Sequence, residues 1–203
     1  AVLALGPVPI EGEDQHFRSG FVIHAEKCPN RRGVEAVIRH FTGECLSFDE
    51  FLQRLPDEPI WGAWVTGGYP RPMFDERVAE KFQNVELLIV QDLFSTPIWD
   101  RATYQIPGAA FAERSGSYVN YAERLQSFVW AVRPPTGAWV EGQLYWQLLG
   151  RVGLWNAPKV LREIAQEIPY FAAAEHEMPA TGVDLLQRQR GEHEASLSQE
   201  PVS

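Results

Sequence analysis

Apolar positions recur along this chain with two periods, and each period predicts an element. Over Asn30–Gly43, Val34, Val37, Ile38 and Phe41 fall at helical spacing, with Asn30 placed as N-cap. A second helix follows: Ser47, Phe48, Asp49 and Glu50 spell a capping box, Phe48, Phe51, Leu52 and Leu55 repeat the spacing, and Pro56 ends it. Ile60–Thr66 is an aromatic and β-branched run that reads as a buried strand, broken at Gly67 and Gly68. Phe74–Phe82 predicts a short helix facing inward through Phe74, Val78 and Phe82. Val85–Val90 is apolar without alternation, as in a strand covered on both faces. Strand, helix and strand in this order make a βαβ unit, hence a parallel sheet. Tyr104–Ile106 adds a short strand ending at Pro107.

Beyond it the pattern weakens. Gly20–His24 reads as a short strand, Gly108–Gln126 as loop, and Ser127–Val132 as one more strand before the turn at Pro134–Gly137. Helices return at Val140–Leu149 and at Pro158–Ile168, the second capped by Asn156. The expected organisation is an irregular entry segment (1–26), an α/β domain (27–132), a helical extension (133–184) and a disordered tail (185–203). The fold class is α/β, with a parallel sheet and a helical C-terminal part.

Composition narrows the function. The 203 residues are 45% apolar and 12% aromatic, too apolar for a disordered chain. No apolar run reaches the roughly 18–20 residues of a membrane span. The stretch Ala1–Ile10, broken by Gly6, Pro7 and Pro9, does not read as a secretory signal. A net charge of −9 argues against nucleic acid and against anionic lipid as partners. Cys28 and Cys45 are too few for an iron–sulfur cluster, form no CxxC pair, and read as free thiols.

In an open parallel sheet ligands bind beyond the carboxyl ends of the strands. Two loops qualify. One carries Thr66, Gly67, Gly68 and Arg71, an anion cradle in outline; the other carries Asp92, Ser95 and Thr96, a hydrogen-bonding set for a ribose, a guanine or a pterin amide. Short loops of this composition are more often ordinary strand-to-helix turns with local side-chain caps. The histidines His16, His24, His40, His176 and His193 show no ligand spacing, and Glu113 with Glu123 is a carboxylate pair only if the loop between them closes. No nucleotide, hydrolase or metalloprotease motif is present.

One ordered set of motifs says more. Val85–Thr96 (VELLIVQDLFST), Ile106–Asn120 (IPGAAFAERSGSYVN), Glu123–Gln126 (ERLQ) and, upstream, Ala25–Gly33 (AEKCPNRRG) together resemble the molybdopterin oxidoreductase superfamily. They are most like the large iron–sulfur, G-type subunit of NADH-quinone oxidoreductase. The resemblance spans roughly residues 25–173. It implies a C-terminal portion of such a subunit, from the Rossmann-like third domain, acting as scaffold for electron transfer from NADH to quinone. The alternatives are the cofactor-binding portion of a molybdenum or tungsten enzyme such as formate dehydrogenase, and a stand-alone interaction module.

Carried over by position, the resemblance implies a pterin-dinucleotide pocket at Asn30, Gly33, Asp92, Thr96, Glu113, Gly116 and Asn120. Two positions depart from the pattern: an aspartate is replaced by Thr103, and the glycine of an E-G-R run by Glu123, with Ala122 before it. Those losses suggest a vestigial pocket. Hence no cofactor is expected in this chain, no catalytic residue and no metal ligand. Iron–sulfur clusters belong to the full-length subunit, and molybdopterin guanine dinucleotide to the formate dehydrogenase alternative alone. The expected partners are other subunits of a respiratory complex or missing N-terminal domains. The expected location is cytoplasmic, peripheral to the inner membrane through those partners. Candidate contact surfaces are Ile98–Trp99, Trp130 and Trp139–Trp146.

Overall fold

A computed structural model describes residues 1–186, and from 187 onward the expected tail lies outside the described residues. Two compact units emerge, each assembled from separated stretches of chain.

The first unit comprises residues 1–27, 45–115 and 129–155. Two short strands, β1 (Gln15–His16) and β2 (Val22–Ile23), pair antiparallel near its start. Its centre is a three-stranded parallel sheet of β3 (Gly62–Thr66), β4 (Leu87–Asp92) and β5 (Tyr104–Pro107), ordered β3-β4-β5, as the βαβ pattern requires. Strand β4 lies in the middle, and Leu88 and Val90 are buried. Against one face pack α2 (Phe48–Arg54), α3 (Glu76–Lys81) and α4 (Pro97–Asp100), contributing Phe51, Leu52, Ala79 and Ile98 to one core with Leu55, Phe74 and Phe82. The capping box at Ser47 forms in full.

Strand β3 is shorter and less buried than Ile60–Thr66 suggested. It is an edge strand: Ala63 and Val65 face the core, while Trp64 on the other face remains 39% exposed against the Tyr145 ring. A continuous apolar run reads as covered on both sides, but here one face is roofed only in part. The roof comes from α5 (Glu141–Leu148). Within α5, Gly142 lies directly beneath the Trp155 indole, which donates from its ring nitrogen to the Ser115 carbonyl at 3.4 Å.

The second unit comprises residues 28–44, 116–128 and the chain from Asn156. Helix α1 (Arg31–Thr42) and helix α6 (Ala157–Glu167) appear where expected. Asn30 does not cap α1 through its side chain; its Oδ1 instead accepts from the Val119 backbone N–H at 2.8 Å. The stretch read as loop is a hairpin, β6 (Gly116–Val119) with β7 (Arg124–Phe128), and β8 (Val183–Asp184) adds to its far edge. Consequently the strand expected at Ser127–Val132 is confined to its first two residues. Polar Ser117, Gln126 and Ser127 mask the alternation of a strand with one wet face. The core beneath gathers Val119, Leu125, Leu161, Ala165, Ile168, Phe171 and Leu185.

Among the described residues no helix is long and apolar enough to cross a membrane. Of the expected contact surfaces, Ile98 and Trp146 are buried, whereas Trp130 and Trp139 are exposed together with Leu148, Leu149, Val152 and Leu154.

Candidate functional site

Parallel register brings the three strand ends of the first unit to one edge: Thr66, Asp92 and Pro107 close β3, β4 and β5. Asp92, 4% exposed, turns its carboxylate onto the Gly67–Gly68 turn, where Oδ1 accepts from the Gly68 N–H at 3.1 Å and from the Leu93 N–H at 2.7 Å. Any side chain at Gly67 would collide with that carboxylate, and Gly68 holds a φ of +94°. Thr96, the residue before α4, is 3% exposed and makes no capping bond; its hydroxyl has no hydrogen-bond partner among the described residues.

The cation at this edge is not Arg71, which lies 2.9 Å from Glu11 and is half-exposed. It is Arg114. Its Nη1 donates to Glu141 Oε1 at 2.7 Å, and the guanidinium flanks Gly68. Glu141 Oε1 also flanks Gly108, beyond the end of β5, while Glu141 Oε2 is buried with no hydrogen-bond partner among the described residues. One turn along α5, the Tyr145 hydroxyl donates to Oε1 of the buried Gln91 at 3.1 Å, and the Gln91 amide lies 3.5 Å from the Trp139 carbonyl. Burial, reinforced by the Glu141 charge and opposed by Arg114, pushes the Tyr145 phenol up to about 12. Sequence reading missed Arg114, Glu141, Tyr145 and Gln91 as a group. Arg114 stood inside a quoted motif, but nothing local marks Glu141 as its partner 27 residues later.

The other expected site residues divide between the units. Glu113, in the first, folds back to accept from the Ala110 N–H at 2.8 Å. In the second, Gly33 sits against Asn30 and Val119, Gly116 lies under the Phe128 ring, and Asn120 Oδ1 accepts from the Ala122 and Arg124 N–H groups across the hairpin turn. Thr103 receives the Leu88 N–H on its hydroxyl at 3.1 Å. Glu123 has a φ of +57°, the region glycine enters without cost, and the superfamily pattern has its glycine at this position. The carboxylate of Glu123 is held by Arg32 and by the Tyr170 hydroxyl. Glu113 and Glu123 thus have separate structural partners. Among the described residues, no group of three or more His, Cys, Asp or Glu could hold a metal ion.

No family model matches the chain. It is 34% identical over 115 residues to the F420-dependent formate dehydrogenase 1 subunit alpha of Methanococcus maripaludis, covering 54% of this chain and 17% of that protein. It is 27% identical over 158 residues to formate dehydrogenase H of Escherichia coli, covering 75% and 22%. It is 31% identical over 130 residues to the NADPH-Fe(3+) oxidoreductase subunit alpha of Geobacter sulfurreducens, covering 61% and 15%. These relatives are oxidoreductases or subunits of them. The matched stretches thus span between 15% and 22% of the relatives' own length.

Proposed function

We propose that this chain is part of a molybdopterin-type oxidoreductase subunit of the formate dehydrogenase alpha kind, contributing the parallel-sheet scaffold near the cofactor. The observation supporting it most is the 34% identity over 115 residues to a formate dehydrogenase alpha subunit. In this reading the full-length protein carries a pterin molybdenum or tungsten cofactor and iron–sulfur clusters, and works beside further domains or subunits. Exposed Trp130, Trp139, Leu149 and Val152 suit such neighbours.

As folded here, the strand-end residues do not fit a pterin dinucleotide. Asp92 Oδ1 is occupied by two backbone N–H groups, Arg114 is engaged by Glu141, and the buried polar atoms of this edge without a hydrogen-bond partner among the described residues are the Thr96 hydroxyl and Glu141 Oε2. That closed edge favours a second reading, the scaffold of a G-type NADH-quinone oxidoreductase subunit, which keeps the fold without molybdenum.

The test is to isolate the native protein containing this chain and measure its metals and its reactions. Molybdenum or tungsten with formate-dependent reduction of a viologen dye is the expected result. NADH-dependent quinone reduction without either metal would select the second reading. Neither activity, with no iron–sulfur clusters, would overturn both.

A further inference from the structure

Strand β3 leaves one side of its backbone without a partner. At the two ends of its ladder with β4, the Leu87 N–H donates to the Trp61 carbonyl at 3.1 Å and the Gly67 N–H to the Gln91 carbonyl at 2.7 Å. Successive residues of a strand point their backbone groups to opposite sides, so a parallel pair bonds through alternate residues. Trp61, Ala63, Val65 and Gly67 therefore face β4, while Gly62, Trp64 and Thr66 turn their N–H and C=O groups away from it. Those outward groups meet no hydrogen-bond partner among the described residues. All three residues are exposed.

Nothing on the strand guards that edge. Natural sheets blunt a free edge with lysine, proline, a bulge or a covering element. From Ile60 to Gly68 the chain carries no proline and no charged side chain, and the ladder from Gly62 to Thr66 runs without a bulge. The opposite edge of the sheet is treated differently. There β5 ends in Pro107, whose carbonyl accepts from the Trp139 N–H at 2.8 Å.

We propose that β3 is a self-pairing edge, joined antiparallel to β3 of a second copy of this chain. The outward groups are symmetric about Trp64. A two-fold axis there sets Trp64 opposite Trp64 and Gly62 opposite Thr66, and each outward N–H finds a C=O across the axis. With no charged side chain on the strand, no like charges face each other across the pair. The two Trp64 side chains, each 39% exposed beside Tyr145, lie on the same face as a cross-strand aromatic pair. Two three-stranded sheets become one of six strands, and a contact of this symmetry closes at two copies. The opposing force is long-range: each copy carries a net charge of −9, so screening by salt strengthens the pairing.

Sedimentation velocity of the 203-residue chain tests this, together with hydrogen exchange read at single amides. The chain should be largely dimeric at about 100 µM and monomeric at about 1 µM, the range of a small interface. Raising salt from about 0.05 M to about 0.5 M should tighten the dimer. The amides of Trp64 and Thr66 should exchange more slowly as concentration rises, while those of Ala63 and Val65, already bonded to β4, should not change. Trp64→Lys sets a charge on each side of the axis and should weaken the dimer at least about tenfold. Thr66→Pro removes an outward N–H, leaves the β4 ladder intact, and should weaken the dimer as well. Circular dichroism reports whether each variant folds; if neither does, exchange in the unaltered chain still decides. A folded chain that stays monomeric at about 100 µM, or a dimer that both folded variants keep, overturns the proposal. Protection of Trp64 and Thr66 in a monomeric native protein would assign the edge to a strand from outside these residues, and overturns it too.

Discussion

Tyr145 and Tyr170 carry the pH dependence expected of single residues. Both phenols are raised by burial, Tyr145 to about 12 with Glu141 adding to the effect, and Tyr170 further by its hydrogen bond to Glu123. Because the folded-state value lies above the unfolded value near 10, the neutral phenol favours the folded state. Its contribution is complete below about pH 10 and is lost as pH rises towards the folded-state value. Urea midpoints measured from pH 8 to 11.5 should therefore hold and then fall above 10, and Tyr145→Phe should flatten part of that fall. Midpoints that stay level to pH 11.5 would show the phenols to be solvated. Residue by residue, the sequence spoke where a side chain acts on its own neighbourhood: Ser47 and Glu50 form the capping box that four letters announced. It was silent where the partner is distant. Asn30 looked like a helix cap and instead ties α1 to Val119, 89 residues away. Glu123 looked like a lost glycine and is a glutamate in glycine's conformation, gripped by Arg32 and Tyr170.

At the scale of elements, α5 is the part whose place depends most on one contact. Gly142 lies in its first turn beneath the Trp155 indole, and an added methyl would run into the ring. Alanine favours a helix over glycine by about 1 kcal/mol, whereas overpacking a filled contact costs about 1–3 kcal/mol. An added methyl would lie well inside contact distance of the ring, so the steric cost should prevail and Gly142→Ala should lower stability by up to about 2 kcal/mol in denaturant unfolding. A gain would mean that Trp155 swings away freely. Helices and the central strand were legible because their apolar periods are strong: α1, α2, α6 and β4 fall within two or three residues of expectation. The hairpin of β6 and β7 was not. Serines, a glutamine and a glycine in strands with one wet face leave no alternation to read, and their pairing is fixed by the Asn120 turn and the core beneath. The same limit applied to the candidate site. Asp92 and Thr96 followed from the rule for parallel strand ends, while Glu141 reaches that edge from a helix that periodicity alone could not orient.

For the whole molecule, the informative fact is that each unit has its own core and no residue belongs to both. Three separated stretches converge on each, which local periodicity does not encode. The two cores can nevertheless be probed apart, because all seven tryptophans lie in the first unit. Tryptophan fluorescence therefore reads unfolding of that unit, while far-ultraviolet circular dichroism reads both. Phe74, 2% exposed in the first core, should cost about 3–5 kcal/mol on change to alanine and shift the fluorescence transition by that amount. Leu185, equally buried in the second core, should cost about 2–5 kcal/mol on change to alanine. Mutations without shared partners add to within about 0.5 kcal/mol. Leu185→Ala should therefore shift the circular dichroism curve and leave the fluorescence midpoint unmoved within that margin. A Leu185→Ala variant that moves both signals together would mean that the units unfold as one body, with coupling that their separate cores do not suggest.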